Sequence, residues 1–311
     1  MNPDTVARFE AGRERLAALA YRLLGSAADA EDVVQDAFLR WQAADRDRIE
    51  VPEAWLTKVV TNLAVDRLRS ARSRRERAVG TWLPEPLLEG DPMLGPADTV
   101  EQRESVTLAV LLLLERLSPI ERAVYVLREA FSHSHAEIAG ILDITETASQ
   151  QHAHRARRHV AGGRTYRPTD ATTARRIVEA FVAAAASGRT ERLVALLTAD
   201  AAAVSDRAGL ATDLMHVTTA ERVAAVLRAG FKPTAAKRRL AGGAPAIHAG
   251  VVNGAPAVVA VIDDHVVGVV VLGVDDDGIG TVWGVASRSR LGRLTVEWRR
   301  RAHDAALIES W

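Results

Sequence analysis

Residues 29–41, Asp-Ala-Glu-Asp-Val-Val-Gln-Asp-Ala-Phe-Leu-Arg-Trp, carry two kinds of side chain at helical spacing. The apolar side chains form one stripe: Ala30, Val33, Val34, Ala37, Phe38 and Trp41. Asp29, Asp32 and Asp36 fall on a separate face, with Gln35 beside them. The stretch therefore predicts a helix that packs on a core and presents an acidic face outward. Taken alone, this face also fits the ordinary solvation of a surface helix.

The next predicted helix, 53–77, opens at Pro52 and is strongly basic, since basic residues outnumber acidic ones from 58 to 77. Its apolar stripe consists of Leu56, Val59, Val60, Leu63 and Leu68. The opposite face carries Lys58, Asn62, Asp66 and Arg69. The pattern fits either a solvated helix end or a surface that neutralises nucleic-acid phosphates. The second interpretation predicts binding that weakens steeply with salt.

Two capping boxes mark a pair of short helices further along the chain. Ser118-Pro119-Ile120-Glu121 places serine at the N-cap, proline at the first helical position and glutamate three residues after the cap. Ser134-His135-Ala136-Glu137 repeats the box one helix later. That second helix stops at Asp143, and a third begins at Thr145. Two helices joined by so short a turn predict a helix-turn-helix, with an ordinary helical hairpin as the alternative.

The third helix has a small-residue face and a polar face. Ser149, Ala153, Ala156 and Val160 share the face that would pack on the other helices. The side chains on the polar face are able to reach base edges: Glu146, Thr147, Gln150, Gln151 and His154. The C-terminal arginines suit phosphates, which position a protein without carrying sequence information: Arg155, Arg157 and Arg158.

The composition limits the class of protein. The chain has 311 residues, enough for two or three domains, and its 40 basic residues balance its 40 acidic ones. Charge is therefore sorted along the sequence and does not form a uniform basic coat. There is no cysteine, which excludes disulfide scaffolds, thiolate zinc sites and cysteine catalysis. The N-terminus does not have the pattern of a signal peptide, and the sequence predicts a soluble cytoplasmic protein without a membrane span.

Breaks rich in proline and glycine divide the chain near 82–96 and 162–168. The part after the second break begins with predicted helices at 174–186, 190–197 and 219–229. Strand-like runs follow at 235–241, 246–252, 255–262, 266–274 and 279–286. Asn253-Gly254 is a strong hairpin signal, because a type I′ turn needs positive φ at both central positions. Helices followed by a series of strands predict an α+β domain.

The order of these blocks resembles that of bacterial extracytoplasmic-function (ECF) sigma factors over about the first 160 residues. Residues 29–41 resemble the region 2 helix that docks on the clamp helices of the RNA polymerase β′ subunit. Residues 55–69 resemble the segment that recognises and helps to melt the −10 promoter element. Residues 114–158 resemble region 4, which reads the −35 element beside the β flap. The resemblance implies core RNA polymerase and promoter DNA as partners.

The resemblance also implies which residues make each contact. The polymerase-binding set is Asp29, Glu31, Asp32, Gln35, Asp36 and Arg40. The −10 set is Lys58, Asn62, Asp66, Arg67, Arg69 and Arg72, with Asn62 and Asp66 near a base taken out of the stack. The −35 set is Glu146, Thr147, Gln150, Gln151, His154, Arg155, Arg157 and Arg158.

The linker motif Trp82-Leu83-Pro84-Glu85-Pro86 and the extra C-terminal part resemble the SigJ-like subgroup of this family. The resemblance implies a multidomain fold: two all-α domains, followed by an α+β SnoaL-like cone related to ketosteroid isomerase that regulates the sigma factor in cis. The expected domains are region 2 at 1–80, a linker at 81–98, region 4 at 99–163, a second linker at 164–171 and the SnoaL-like domain at 172–311.

Four positions depart from the family pattern. Asp143 occupies the helix-turn-helix turn where glycine is usual, and aspartate tolerates left-handed geometry at some cost. Ser149 stands where an aliphatic residue normally anchors the recognition helix. Asp206-Arg207-Ala208-Gly209 replaces an aspartate followed by three glycines, and Ser287-Arg288-Ser289-Arg290 replaces an Asn-Pro-Asp-Lys motif. The departures make autoregulation a weaker expectation than promoter recognition.

The sequence predicts no enzyme: no catalytic residue, cofactor or metal is expected. Possible pocket residues of the C-terminal part are Asp206, His216, His248 and Trp283, but their spacing does not bring them together. The histidines near the helix-turn-helix show no chelating pattern: His133, His135, His152, His154 and His159. A small ligand in the C-terminal part remains open. The alternatives are a stand-alone helix-turn-helix regulator with a ligand-sensing domain and an enzyme with accessory helical domains.

Overall fold

The structure is a computed structural model that describes residues 3–75, 82–95, 104–163, 166, 168–211 and 213–311. The chain divides into two compact units. A helical unit comprises Met1–Val79 and Gly90–Arg164, and a C-terminal unit comprises Gly80–Glu89 and Thr165–Trp311. None of the helices in the described ranges combines the length and apolarity needed to cross a membrane.

The helical unit begins with three helices: α1 (Pro3–Leu24), α2 (Ala27–Ala43) and α3 (Pro52–Arg75). The Ser26 hydroxyl caps α2 by accepting a hydrogen bond from the backbone N–H of Asp29. The predicted apolar stripe of α2 is confirmed, because all of its members except the half-buried Phe38 are fully buried. The basic helix is also confirmed as far as Arg75, and its predicted last two residues lie outside the described ranges.

The second half of the helical unit contains α4 (Leu108–Leu114), α5 (Pro119–Tyr125), a π-helical turn (Val126–Ala130), α6 (His135–Leu142) and α7 (Glu146–Ala161). Both predicted capping boxes are formed, at Ser118 and at Ser134. The first residues of the region 4 domain expected at 99–163, 99–103, lie outside the described residues. Asp143 ends α6 in the left-handed conformation, with φ 53° and ψ 46°. The predicted helix-turn-helix geometry is thus present in α6 and α7.

Two buried arginines join the halves of the helical unit. Arg22 on α1 is 1% exposed and donates to the Ser105 hydroxyl and the Leu94 carbonyl oxygen, at 2.9 and 2.7 Å. Arg122 on α5 is 3% exposed and donates to the Leu23 carbonyl oxygen at 2.9 Å. Each guanidinium therefore satisfies carbonyl or hydroxyl groups outside its own helix.

The C-terminal unit is a mixed α+β domain. Its helices are α8 (Ala171–Ala186), α9 (Thr190–Val194), α10 (Ala220–Phe231), α11 (Ala235–Ala241) and α12 (Gly292–Arg299). Its strands are β1 (Leu197–Ser205), β2 (Met215–Thr218), β3 (Ala246–Val252), β4 (Ala255–Ile262), β5 (His265–Asp275) and β6 (Gly278–Val285). The sheet order is β2-β1-β6-β5-β4-β3, with β1 and β6 parallel and the other pairs antiparallel.

The predicted hairpin at Asn253-Gly254 is confirmed, since both residues have positive φ and connect β3 to β4. Residues 87–89 extend this edge of the sheet. Leu88 bridges Val252, and the backbone N–H of Glu89 donates to the Val251 carbonyl oxygen at 2.9 Å. The Asn253 side chain accepts from the backbone N–H of Leu87 at 2.8 Å. Part of the sequence between the two halves of the helical unit is therefore a structural element of the C-terminal unit.

Three expectations about secondary structure were wrong. The run 235–241 is helix and not strand, because Thr234 caps its start and Gly242, at φ 91°, ends it in the left-handed conformation. The helix predicted over 190–197 ends at Val194, and Leu197 already begins β1. The alanine-rich strand β1 and the short β2 were missed, since their pairing with β6 and with each other overrides weak strand propensity.

Candidate polymerase and nucleic-acid interface

The acidic face of α2 is exposed and lies beside one cation of α3. The predicted polymerase-binding side chains all belong to exposed residues: Asp29, Glu31, Asp32, Gln35, Asp36 and Arg40. Arg67 forms ion pairs with Asp29 at 2.8 Å, with Asp32 at 3.3 Å and with Asp36 at 3.9 Å. The structure therefore brings a member of the predicted −10 set to the predicted polymerase-binding face.

The remaining −10 residues lie along α3, and several of them contact other parts of the helical unit. Lys58 contacts the turn of the helix-turn-helix, with its Nζ 2.8 Å from Oδ1 of Asp143. The Asn62 amide is half-buried and lies 3.5 Å from the Ile141 carbonyl oxygen. Asp66 and Arg69 are exposed and pair with each other at 3.3 Å. The Arg72 side chain lies outside the described residues.

On α7, the packing face is buried and the polar face is exposed, as the sequence predicts. Ser149, Ala153, Ala156 and Val160 are buried, and this expectation is confirmed. The five residues predicted to reach base edges are exposed: Glu146, Thr147, Gln150, Gln151 and His154. The Ser149 hydroxyl lies 2.9 Å from Nδ1 of His135 on α6. A polar pair therefore takes the place of the usual aliphatic anchor, and sequence reasoning missed His135 as its second member.

Two of the three C-terminal arginines of α7 pair with acids inside the unit. Nε of Arg155 donates to Glu121 at 2.8 Å, and Arg157 lies 2.7 Å from Glu129. Arg158 is exposed. Burial by itself would raise the pKa of Glu121, but hydrogen bonds from Arg155 and Ser118 outweigh burial and lower that pKa to about 2. Phosphate binding by Arg155 would therefore compete with an internal carboxylate partner.

In the C-terminal unit, the two motifs that depart from the family pattern contact each other. The buried Asp206 carboxylate accepts from the backbone N–H groups of Ala286 and Ser287, both at 3.0 Å. Arg207, Ala208 and Gly209 follow with φ of 50°, 57° and 73°. Three successive left-handed residues explain physically why glycines suit these positions, and this chain holds the same conformation with arginine and alanine at two of them.

The other pocket candidates are only partly brought together. His216 and Trp283 lie in one row across the sheet, because both are in register with Val204. His248 lies on the edge strand β3, where its ring packs edge-on against Trp298 at 5.1 Å. Across the part of the chain that the structure describes, no group of three or more histidines and carboxylates is placed to hold a metal ion.

Comparisons with known proteins agree with this geometry. The Sigma-70 region 2 family profile matches residues 9–74, and that of Sigma-70, region 4 matches residues 107–160. The chain is 42% identical over 207 residues to the ECF RNA polymerase sigma factor SigJ of Mycobacterium tuberculosis, an alignment that spans 66% of each chain. It is 32% identical over 298 residues to a probable ECF RNA polymerase sigma factor, SigI, of the same organism, spanning 94% of this chain and 96% of SigI.

The crystal structure of the M. tuberculosis extracytoplasmic function sigma factor SigJ matches 92% of this chain and 97% of its own, with a TM-score of 0.68 at 31% identity. The two matched regions and the helix-turn-helix define a class of DNA-binding proteins that serve transcription initiation. Within that class, the chain belongs to the family of ECF RNA polymerase sigma factors. The family and the fold class predicted from the sequence, two helical sigma regions followed by an α+β domain, are thereby confirmed.

Proposed function

We propose that the chain docks on core RNA polymerase through the exposed face of α2 and directs it to promoters. The observation that carries this proposal is that Asp29, Asp32 and Asp36 are exposed, on a different face from an apolar stripe whose members are all buried except Phe38. An exposed acidic face on a rigid helix is suited to electrostatic recognition of a basic partner surface. The proposed contacts are the β′ clamp helices for α2 and the β flap for the helix-turn-helix part.

Promoter DNA is the second proposed partner. The exposed amide and imidazole groups of α7 would read the −35 element, while Arg155, Arg157 and Arg158 would contact phosphates. The polar face of α3 would engage the −10 element, with Asn62 and Asp66 near a base removed from the stack. The proposed domains follow the sequence expectation: 1–80 and 99–163 bind polymerase and DNA, and 81–98 links them.

The C-terminal domain, 172–311, is proposed to regulate the sigma factor in cis and to have no catalytic role. Supporting this, both Asp206 carboxylate oxygens accept hydrogen bonds from backbone N–H groups, which makes the carboxylate a structural anchor. The proposal includes no cofactor and no metal, and it places the protein in the cytoplasm, where polymerase works. Nothing in the described residues supports the small ligand considered above. A stand-alone regulator is not favoured, because the Sigma-70 region 2 match includes the whole acidic face.

A binding titration of the full chain against core RNA polymerase tests the proposal. We expect sub-micromolar affinity that weakens with salt, and the double variant Asp32→Lys/Asp36→Lys should lose at least tenfold in affinity because like charges would then meet. The control variant is Glu50→Lys/Glu53→Lys, which reverses two exposed acids elsewhere in the same unit. Equal affinities for wild type and Asp32→Lys/Asp36→Lys would rule out the α2 face as the docking surface.

A further inference from the structure

Helix α3 contacts the end of α6 through two polar side chains. Nζ of Lys58 donates to the Gly140 carbonyl oxygen and to Oδ1 of Asp143, both at 2.8 Å. One turn further along, the Asn62 amide approaches the Ile141 carbonyl oxygen at 3.5 Å. A cation at a helix C-terminus satisfies carbonyl groups that have no partner within the helix and interacts well with the helix dipole. The proposed −10 face therefore caps the first helix of the helix-turn-helix.

Asp143 supplies the negative charge of this contact. The residue has φ 53°, a conformation that favours glycine because glycine has no Cβ. Glycine at this position would keep the turn and lose the carboxylate that binds Lys58. The ion pair is solvated, with the Lys58 and Asp143 side chains 40% and 74% exposed. A solvated pair of this kind contributes little to stability, which suits a contact that has to open.

The helical unit also buries a charge that opening would return to water. Arg22 is covered by Leu94 and Ser105, which come after the first three helices, and its guanidinium lies 5.4 Å from the Phe131 ring. Burial lowers the pKa of Arg22 to about 10, which means that its surroundings disfavour the charged form. Opening would break these hydrogen bonds and return the guanidinium to water.

The packed arrangement covers part of the proposed −10 face. Gly95 rests on α1, where an added Cβ would lie 2.8 Å from that of Ala18, so the chain is anchored there. From Gly95 to Glu104 the backbone can extend at most about 32 Å. Because Lys58 and Asn62 contact the end of α6, DNA would reach the whole of this face only when the two halves of the helical unit separate.

We propose that the Lys58–Asp143 ion pair is a latch that shifts the free chain towards the closed arrangement, in which part of the −10 face is covered until polymerase and promoter separate the two halves. This inference rests on the proposed function, since the covered face matters only if it reads DNA. Asp143, in its left-handed conformation, then supplies the carboxylate of the latch.

The test measures the opening of the full chain directly. The chain has no cysteine, so two spin labels can be placed through Glu50→Cys and Ala161→Cys, at exposed positions in the two halves of the helical unit. We expect a short distance in the free chain and a longer one with core polymerase. Asp143→Gly should raise the population of the long distance in the free chain roughly twofold to fivefold. Asp143→Asn, which tolerates the left-handed turn, should have a similar effect.

Two controls make the test specific. Glu10→Gln removes another exposed ion pair of the same unit, with Arg13, and should leave the distances unchanged. In a Lys58→Met background, Asp143→Gly should have no further effect, because the pair is already broken. Unchanged distances in Asp143→Gly, or the same shift in both backgrounds, would overturn the latch. Failure of the proposed function would instead show as wild-type chain that does not bind polymerase.

Discussion

Helices α3 and α7 are both proposed to contact promoter DNA, yet the structure leaves them in different states. On α7 the uncharged base-reading side chains, such as Gln150 and Gln151, point outward and are exposed. On α3 the corresponding amide, Asn62, is half-buried against the end of α6, and Lys58 beside it is engaged by Asp143. The proposed DNA-reading surface of the helix-turn-helix is thus exposed in the free chain, whereas that of α3 is partly covered.

Cations on both helices are paired with carboxylates, which matters for the proposed binding of DNA by a chain with no net charge. Arg67, Arg155 and Arg157 each have carboxylate partners inside the helical unit. On binding DNA, each arginine would exchange its carboxylate partner for a phosphate. No unpaired charge would therefore be brought to the DNA. Such an exchange makes affinity depend on context, because a partner that occupies the carboxylates releases the cations. Polymerase docking on Asp29, Asp32 and Asp36 would release Arg67 in this way.

Removing a buried arginine should have the largest effect on stability. It breaks the packing of the helical unit, in which α3 is partly covered and α7 is exposed. Arg122→Met leaves the Leu23 and Leu114 carbonyl oxygens and the Glu115 carboxylate without their donor. We expect the free energy of unfolding of the helical unit to fall by about 3 kcal/mol. Urea denaturation followed by circular dichroism measures the change. Arg116→Met, at an exposed position, is the matched control and should stay within about 0.5 kcal/mol of wild type.

The second-largest effect concerns DNA binding by the free chain, which should depend on α7 and not on α3. Gln151→Ala should weaken binding of the chain without polymerase to a duplex containing its −35 element by about tenfold, because a base-edge hydrogen bond is lost. Asn62→Ala should leave that affinity within about twofold, since α3 does not contact this DNA. Fluorescence anisotropy measures both. Equal losses in the two variants would mean that α3 reads DNA in the free chain as readily as α7 does.

Periodicity and capping residues were enough to predict α2, α3 and the helix-turn-helix, because each helix carries its own stripe and start signal. The face assignments followed from the same spacing. The contacts of Lys58 and Asn62 could not be predicted, since they join residues about 80 positions apart that have no local signal. The helix at 235–241 was misassigned even though Thr234 and Gly242 are recognisable caps. Strand β1 had no usable signal, because alanine favours helices and only pairing with β6 makes this segment a strand.

A smaller effect is expected where α7 packs against α6. This contact holds α7 in place and thereby keeps its outer face exposed. Ser149→Ala removes the hydroxyl that contacts His135 in a fully buried position and should lower the free energy of unfolding by about 1 kcal/mol. His135→Ala should have no additional cost in the Ser149→Ala background, so that a double-mutant cycle isolates the pair. Thr147→Ala, on the exposed face of the same helix, is the control. Additive losses would show that the two side chains act independently.

The smallest effect concerns Glu121, the carboxylate that pairs with Arg155. The pKa of Glu121 is lowered from its usual 4.5 to about 2, so the ionised form is favoured in the folded chain. Its stabilisation should be complete above pH 4.5 and disappear as the pH falls towards 2. Glu121→Gln cannot titrate, so its deficit relative to wild type should be at most about 1 kcal/mol near neutral pH and should shrink across that range. Urea denaturation at several pH values measures this difference, with Glu50→Gln as an exposed control. At neutral pH the same variant should also release Arg155 and bind duplex DNA slightly more tightly, and unchanged binding would show that the Glu121 pair does not restrain the phosphate contact.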